Sequence, residues 1–214
     1  MWPEGLVFPD GKSMLTTGEI GTVWNLATGE PWRWGLLMGQ TGPVMEIDIA
    51  ASGRRFATRA GRFGGNDWEV RVWELPADPD AAGASCREVF RHQGEIDHLE
   101  LSDDGQLLLL KVRDLEVWEV DSGRQRGSVP GASGRFSPDS KQFAISDDVP
   151  GIIIYDSATL QAVRHLSVIA EGPSHLHFTP DGKHLCFYAT GWVRCLDVKT
   201  GQEQIPFSVS AETP

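Results

Sequence analysis

The chain has 214 residues, with 30 acidic against 19 basic side chains and a formal charge of −11. That balance argues against a nucleic-acid partner, since a phosphate backbone is repelled unless basic residues are strongly segregated. No run of 18 or more apolar residues occurs, and Met1–Gly5 lacks the basic and apolar regions of a secretory signal, so the expectation is a soluble cytoplasmic protein without membrane contact.

Apolar residues alternate with polar ones, as in Met45-Glu46-Ile47-Asp48-Ile49, and no window carries an apolar stripe of helical period and length; strands are expected throughout. In chain order the first repeat predicts strands at 6–8, 13–17, 22–26 and 31–38, with turns in the Gly-rich gaps. The second predicts 44–50, 55–59, 69–75 and 87–91, and the third 99–102, 107–112, 115–120 and 125–129. The fourth predicts 134–137, 142–146, 151–156 and 162–166, and the fifth 175–179, 184–188, 193–198 and 204–208. Within each repeat these strands are A to D. The A–B turns are Pro9-Asp10-Gly11, Ala51-Ser52-Gly53, Asp103-Asp104-Gly105, Pro138-Asp139-Ser140 and Pro180-Asp181-Gly182, whose central residues lie 42, 52, 35 and 42 apart. A mean near 43 is the period of propeller blades. The blade limits are 1–40, 41–93, 94–131, 132–172 and 173–214 in a single array.

Strand C closes in each repeat on an aromatic or apolar residue and a polar one: Trp24-Asn25, Trp73-Glu74, Trp118-Glu119, Tyr155-Asp156 and Leu196-Asp197. Together with the turns, these pairs resemble the WD40 family, whose blades read as strand, F-S-P-D-G-K, strand, turn, V-x-x-W-D, strand. The resemblance spans nearly the whole chain and implies an all-β, WD40-like propeller of five four-stranded blades. In that family a Gly-His pair before strand A joins a Ser or Thr, the turn Asp and the Trp in a hydrogen-bonded network. Here Gly39-Gln40 and Arg91-His92 stand before blades 2 and 3, so only His92, Asp114 and Trp118 preserve most of the set. Members most often have seven blades, and five repeats that do not close would leave apolar outer faces. The expectation is a partial propeller, completed by further blades of a longer chain or by a second copy.

The polar residues of strand A are the candidate chemistry. Glu46 and Asp48, His98 and Glu100, and His175 and His177 alternate with apolar positions, so each pair shares a face. Such carboxylates and imidazoles could hold a divalent metal in a central channel, as in a propeller hydrolase or lactonase. Pairing between neighbouring blades, for instance Asp48 with His98, would use the same residues without function. No nucleophile motif, phosphate-binding loop or familiar zinc spacing accompanies them. The favoured reading is a non-catalytic scaffold that binds proteins and needs no cofactor.

Its partner surface is expected in blade 2. There Ala60–Trp68 lengthens the turn-to-Trp spacing to 21 residues from 14, and Arg54, Arg55, Arg59, Arg62 and Arg71 gather in an acidic chain. Arg59, Arg62, Phe63 and Trp68 would suit an acidic or phosphorylated peptide. Trp32 and Trp34, on one face of a strand D, are a second interface candidate or pack internally. Of the three cysteines, a two-residue turn at Thr190-Gly191 sets Cys186 opposite Cys195. A cross-strand bond is geometrically conceivable, and two packed thiols in a reducing compartment are the expectation.

Overall fold

The computed structural model describes residues 4–62, 68–82, 84–146, 151–168, 173–189, 192–203 and 207–208. Twenty strands form five four-stranded antiparallel sheets, with no helix among the described residues. Sheet 1 is β1 (Gly5–Val7), β2 (Ser13–Thr16), β3 (Thr22–Asn25) and β4 (Pro31–Leu36), and sheet 2 is β5 (Val44–Ile49), β6 (Arg55–Ala60), β7 (Trp68–Glu74) and β8 (Arg87–Gly94). Sheet 3 is β9 (His98–Leu101), β10 (Leu107–Lys111), β11 (Leu115–Glu119) and β12 (Arg124–Val129). Sheet 4 is β13 (Ser133–Phe136), β14 (Gln142–Ser146), β15 (Ile152–Asp156) and β16 (Ala162–Leu166). Sheet 5 is β17 (Ser174–Phe178), β18 (His184–Ala189), β19 (Trp192–Asp197) and β20 (Phe207–Ser208). Each is a meander in which strands follow chain order. The predicted strands are all present, most with ends displaced by one or two residues, and β20 is shorter than the expected 204–208, of which 204–206 lie outside the described residues. The chain divides into two compact units, residues 1–126 and 127–214.

Local side-chain chemistry fixes the turns. In sheets 3, 4 and 5 a Ser or Thr directly follows strand A and donates to the turn carboxylate: Ser102 to Asp104, Ser137 to Asp139 and Thr179 to Asp181, each at 2.7 Å. The same carboxylate accepts the backbone N–H two residues on, from Gln106, Lys141 and Lys183. These bonds offer the backbone a ready reversal. The polar residue that closes strand C does the same for the C–D turn. Asp156 accepts from Ala158 and Thr159, Asp197 from Lys199 and Thr200, and Asn25 from Ala27 and Thr28.

Cross-strand registry gives every sheet two faces. The front rows are Val7-Met14-Trp24, Ile49-Phe56-Trp73, Leu101-Leu108-Trp118, Phe136-Phe143-Tyr155 and Phe178-Leu185-Leu196. The back rows are Leu6-Leu15-Val23, Asp48-Ala57-Val72, Glu100-Leu109-Val117, Arg135-Ala144-Ile154 and His177-Cys186-Cys195. Within residues 1–126 the front of sheet 2 packs on the back of sheet 1, joining Phe56 and Trp73 to Phe8, Leu15 and Val23. The front of sheet 3 likewise packs on the back of sheet 2, with Leu101 and Leu108 against Ala57 and Val72. Within residues 127–214 the front of sheet 5 packs on the back of sheet 4, through Leu185 and Leu196 against Ala144 and Ile154. Burial of these aliphatic and aromatic faces is the main stabilising force, about 1.5–3 kcal/mol for each fully buried large side chain.

Cys186 and Cys195 are bonded, with Cα atoms 4.0 Å apart. The expectation of two packed thiols is corrected on this point: the registry that sets Cys186 directly opposite Cys195 brings the pair within bonding reach. Cys86 remains free, and burial pushes its thiol up to about 12.

Candidate functional site

Strand A of sheet 2 and strand A of sheet 3 lie side by side and bring two of the six expected strand A residues, Glu46 and His98, together. Glu46 Oε1 lies 2.5 Å from His98 Nδ1, and its Oε2 accepts from Arg59 Nε at 2.7 Å. Arg59 also donates to the Ile96 carbonyl at 3.1 Å and lies 4.4 Å over the Trp68 ring. Burial alone would push the Glu46 carboxyl up. The hydrogen bond and charge of His98 and the charge of Arg59 outweigh it and hold the group below its ordinary value. Asp48 accepts the Leu101 N–H at 2.7 Å and the Ile49 N–H at 2.9 Å. Glu100 is buried.

The cross-sheet pairing expected of these residues is therefore realised, but with different partners. Glu46 rather than Asp48 meets His98, and Asp48 binds the backbone of the next strand A. In sheet 5, His175 and His177 are both exposed, and His175 has a left-handed φ of 53°. His177 Nδ1 lies 3.2 Å from an Arg135 guanidinium nitrogen. Burial, then the charges of Arg135 and His175, hold its pKa below the ordinary histidine range. No group of three or more His, Cys, Asp or Glu with metal-binding geometry occurs among the described residues.

Three of the arginines gathered in sheet 2 bind other groups of the chain. Arg55 binds the Gly105 carbonyl and Asp121, Arg54 pairs with Glu74, and Arg59 is held as described. Arg59 thus serves the sheet 2 to sheet 3 contact. Arg62 is exposed, while Phe63 lies outside the described residues. Trp32 is half-buried, donates to Ser13 Oγ at 3.1 Å and packs with the sheet 1 to sheet 2 core. That favours its internal-packing reading; the side chain of Trp34 lies outside the described residues.

Two constellations escaped the sequence reading. Trp73 donates to Thr58 Oγ1 at 3.0 Å, and Thr58 donates to Gln40 Oε1 at 3.1 Å. Trp24 donates likewise to Thr16 at 2.8 Å. The expected set at His92, Asp114 and Trp118 is not hydrogen-bonded in this way. His92 packs on the Trp118 ring at 4.8 Å, and Trp118 donates to Glu116 because Leu110 occupies the position of Thr58. The signal for the real network was a Thr at the fourth position of strand B, present at Thr16 and Thr58 and absent elsewhere.

The second constellation is ionic. Glu69, fully buried, accepts from Arg71 at 2.9 Å, from Arg91 at 3.1 Å and from the Thr41 N–H at 3.2 Å. Arg71, itself buried, also binds the Gly39 carbonyl and Glu88. Its signal was an opposite-charge pair two residues apart in a strand buried on both faces.

An open cleft of about 370 Å³ lies between the A–B turns of sheets 4 and 5, flanked by Asp139 and Asp181. Burial alone would raise the Asp139 carboxyl, but the Ser137 hydroxyl and the Lys141 N–H lower it overall, and the Thr179 hydroxyl holds Asp181 down at about 2. One oxygen of each carboxylate is committed to its own turn. No protein-family model matches the chain, and no curated protein is significantly similar to it.

Proposed function

We propose that the chain is a WD40-like propeller array that acts as a non-catalytic scaffold for another protein. The observation that carries this reading is the use of the strand A polar residues. Glu46, Asp48 and His98 are spent on ties between neighbouring sheets, so the groups best suited to chemistry serve cohesion instead. The Trp73–Thr58–Gln40 chain supports the WD40-like assignment, with an amide in the place of the family's imidazole. The partner surface is the elongated connection between β6 and β7, where Arg62 is exposed and Arg59 shelves the Trp68 ring. An acidic or phosphorylated peptide suits a guanidinium there.

Affinity purification with the intact chain and with Arg62→Ser tests this. The expected result is a partner recovered with the first and lost with the second at unchanged thermal stability. Thermal stabilisation by Ca²⁺ or Zn²⁺ that vanishes in Glu46→Ala and His177→Ala would instead favour a metal-dependent propeller hydrolase and overturn the scaffold.

A further inference from the structure

Strands A of sheets 2 and 3, within residues 1–126, and strands A of sheets 4 and 5, within residues 127–214, share one registry and differ in the charge they carry. Alignment on the front rows makes Arg135 the counterpart of Asp48 and Ser133 that of Glu46, while Phe178 and His175 correspond to Leu101 and His98. In sheets 3 and 5 the residue after strand A donates its backbone N–H to strand B, Ser102 to the Leu107 carbonyl and Thr179 to the His184 carbonyl. Antiparallel ladders alternate, so the N–H one position earlier points away from its own sheet. Between sheets 2 and 3 that N–H belongs to Leu101, and the Asp48 carboxylate accepts it at 2.7 Å. The Glu46 carboxylate meets His98 beside it.

Sheets 4 and 5 keep the donors of this arrangement and replace both carboxylates. Phe178 presents the N–H, but the side chain at the position of Asp48 is Arg135, which offers donors and no acceptor. Ser133, at the position of Glu46, shares a hydrogen bond with the Ser146 hydroxyl. The Arg135 guanidinium lies 3.2 Å from His177 Nδ1, and His175 is two residues away on the same strand. The positive charges of Arg135 and His175 join burial in holding the His177 pKa down. From this placement we propose that strands A of sheets 4 and 5 bind an external carboxylate, in the position that the Asp48 carboxylate holds between sheets 2 and 3. One of its oxygens accepts from the Arg135 guanidinium and the other from the Phe178 N–H, an arrangement suited to a planar acid. The site goes beyond the scaffold reading and shares no residue with the connection between β6 and β7, so either can fail alone.

The test follows the amide and imidazole magnetic resonance signals of the intact chain during titration with acetate, with a short peptide carrying a single aspartate, and with sodium chloride at equal ionic strength. The Phe178 amide and the His177 ring should shift saturably with the two carboxylates and not with chloride. In Arg135→Gln the carboxylates should bind about tenfold more weakly, the scale of one hydrogen bond to a charged group. Arg135→Asp supplies the anion from the chain itself, so its Phe178 amide should start near the carboxylate-saturated position and no longer respond to acetate. Shifts that do not saturate, or that chloride reproduces, overturn the proposal on the intact chain without need of a variant. Undiminished binding in a folded Arg135→Gln overturns it as well, and saturation by inorganic phosphate without any response to acetate overturns the carboxylate assignment. Tighter binding of the peptide than of acetate assigns the carboxylate to a protein partner, and equal binding to a free carboxylic acid; both outcomes uphold the site.

Discussion

Sheet 2 and sheet 5 share one strand plan and are held by opposite means. Sheet 5 uses local chemistry: Thr179 and Asp181 tie its A–B turn, Asp197 ties its C–D turn, and a disulfide joins adjacent strands. Sheet 2 has Ala50 and Ala51 where a turn of that kind needs a hydroxyl and a proline. Its A–B turn is held instead from sheet 3, through the Ser52 N–H on the Asp103 carbonyl and Arg55 on Gly105 and Asp121. Its interior holds the Glu69–Arg71 ion pair. A repeat thus tolerates loss of its local turn signature when long-range polar ties take over the positioning. The cost is a dependence on buried charge.

The sharpest way to break this comparison is Glu69→Ala. Removing one member leaves Arg71 buried without its main counter-charge, a change that costs about 3–5 kcal/mol. Urea unfolding should show that loss. A change below about 1 kcal/mol would mean that Glu88 and the Gly39 carbonyl hold Arg71 unaided. Replacing Glu69 and Arg71 together by apolar residues of similar volume should recover much of the deficit, since the desolvation cost disappears with the pair.

The corresponding cut in sheet 5 is its disulfide, with nine residues of sequence separation. Chain-entropy reasoning for so short a loop gives about 2–3 kcal/mol. The Cys186→Ser and Cys195→Ser double variant should lower stability by that amount, and dithiothreitol should do the same to the intact protein and nothing to the variant. Equal stability with and without reductant would leave the local turn bonds as sufficient support for the sheet.

These two sheets also divide what could be read from residues alone. Turn carboxylates act within two or three positions, so their role was visible in Pro-Asp-Gly and Asp-x-x-Thr patterns, and with them the strand boundaries. The pairing of Cys186 with Cys195 was equally legible as registry; whether a bond forms there is a matter of side-chain approach that residue counting does not reach. Glu69 looked like one more polar residue in an alternating strand. Its burial depends on Thr41 and Arg91, 28 and 22 positions away, which no local pattern brings together. The Trp73 network was sought at an imidazole and found at an amide, because the chemistry requires an acceptor atom, ring nitrogen or amide oxygen, rather than a particular residue.

The Glu46 tie between sheets 2 and 3 gives a pH-dependent version of the comparison. Its folded pKa lies below the ordinary 4.5, so its contribution is fully present above that value and is lost as the pH falls through the folded pKa. Glu46→Gln should lower stability near neutrality by about 1.5 kcal/mol, the scale of a hydrogen bond to a charged group. The deficit should shrink as both proteins are acidified below pH 4.5. A deficit independent of pH would assign the effect to packing and not to the carboxylate charge.

The smallest expected effect isolates the cost of a side chain at a left-handed turn position, where sheet 4 has a serine and sheet 5 a glycine. Gly182 of sheet 5 has a φ of 66°, whereas Ser140 of sheet 4 occupies the same site at 57°. Both donate their backbone N–H to the carbonyl of the residue that follows strand A, Thr179 or Ser137, at 2.8 Å. A Cβ at Gly182 would approach nothing closer than Pro138, at 3.7 Å, so the main cost of Gly182→Ser is the left-handed backbone itself, about 1 kcal/mol. The reverse change, Ser140→Gly, relieves the same strain but frees the unfolded chain, which offsets part of the gain and leaves about 0.5 kcal/mol of stabilisation. Thermal unfolding of the two variants should therefore move in opposite directions, with the glycine loss the larger. Movement in the same direction would show that the Ser140 side chain, buried in its turn, contributes more to sheet 4 than its backbone conformation costs.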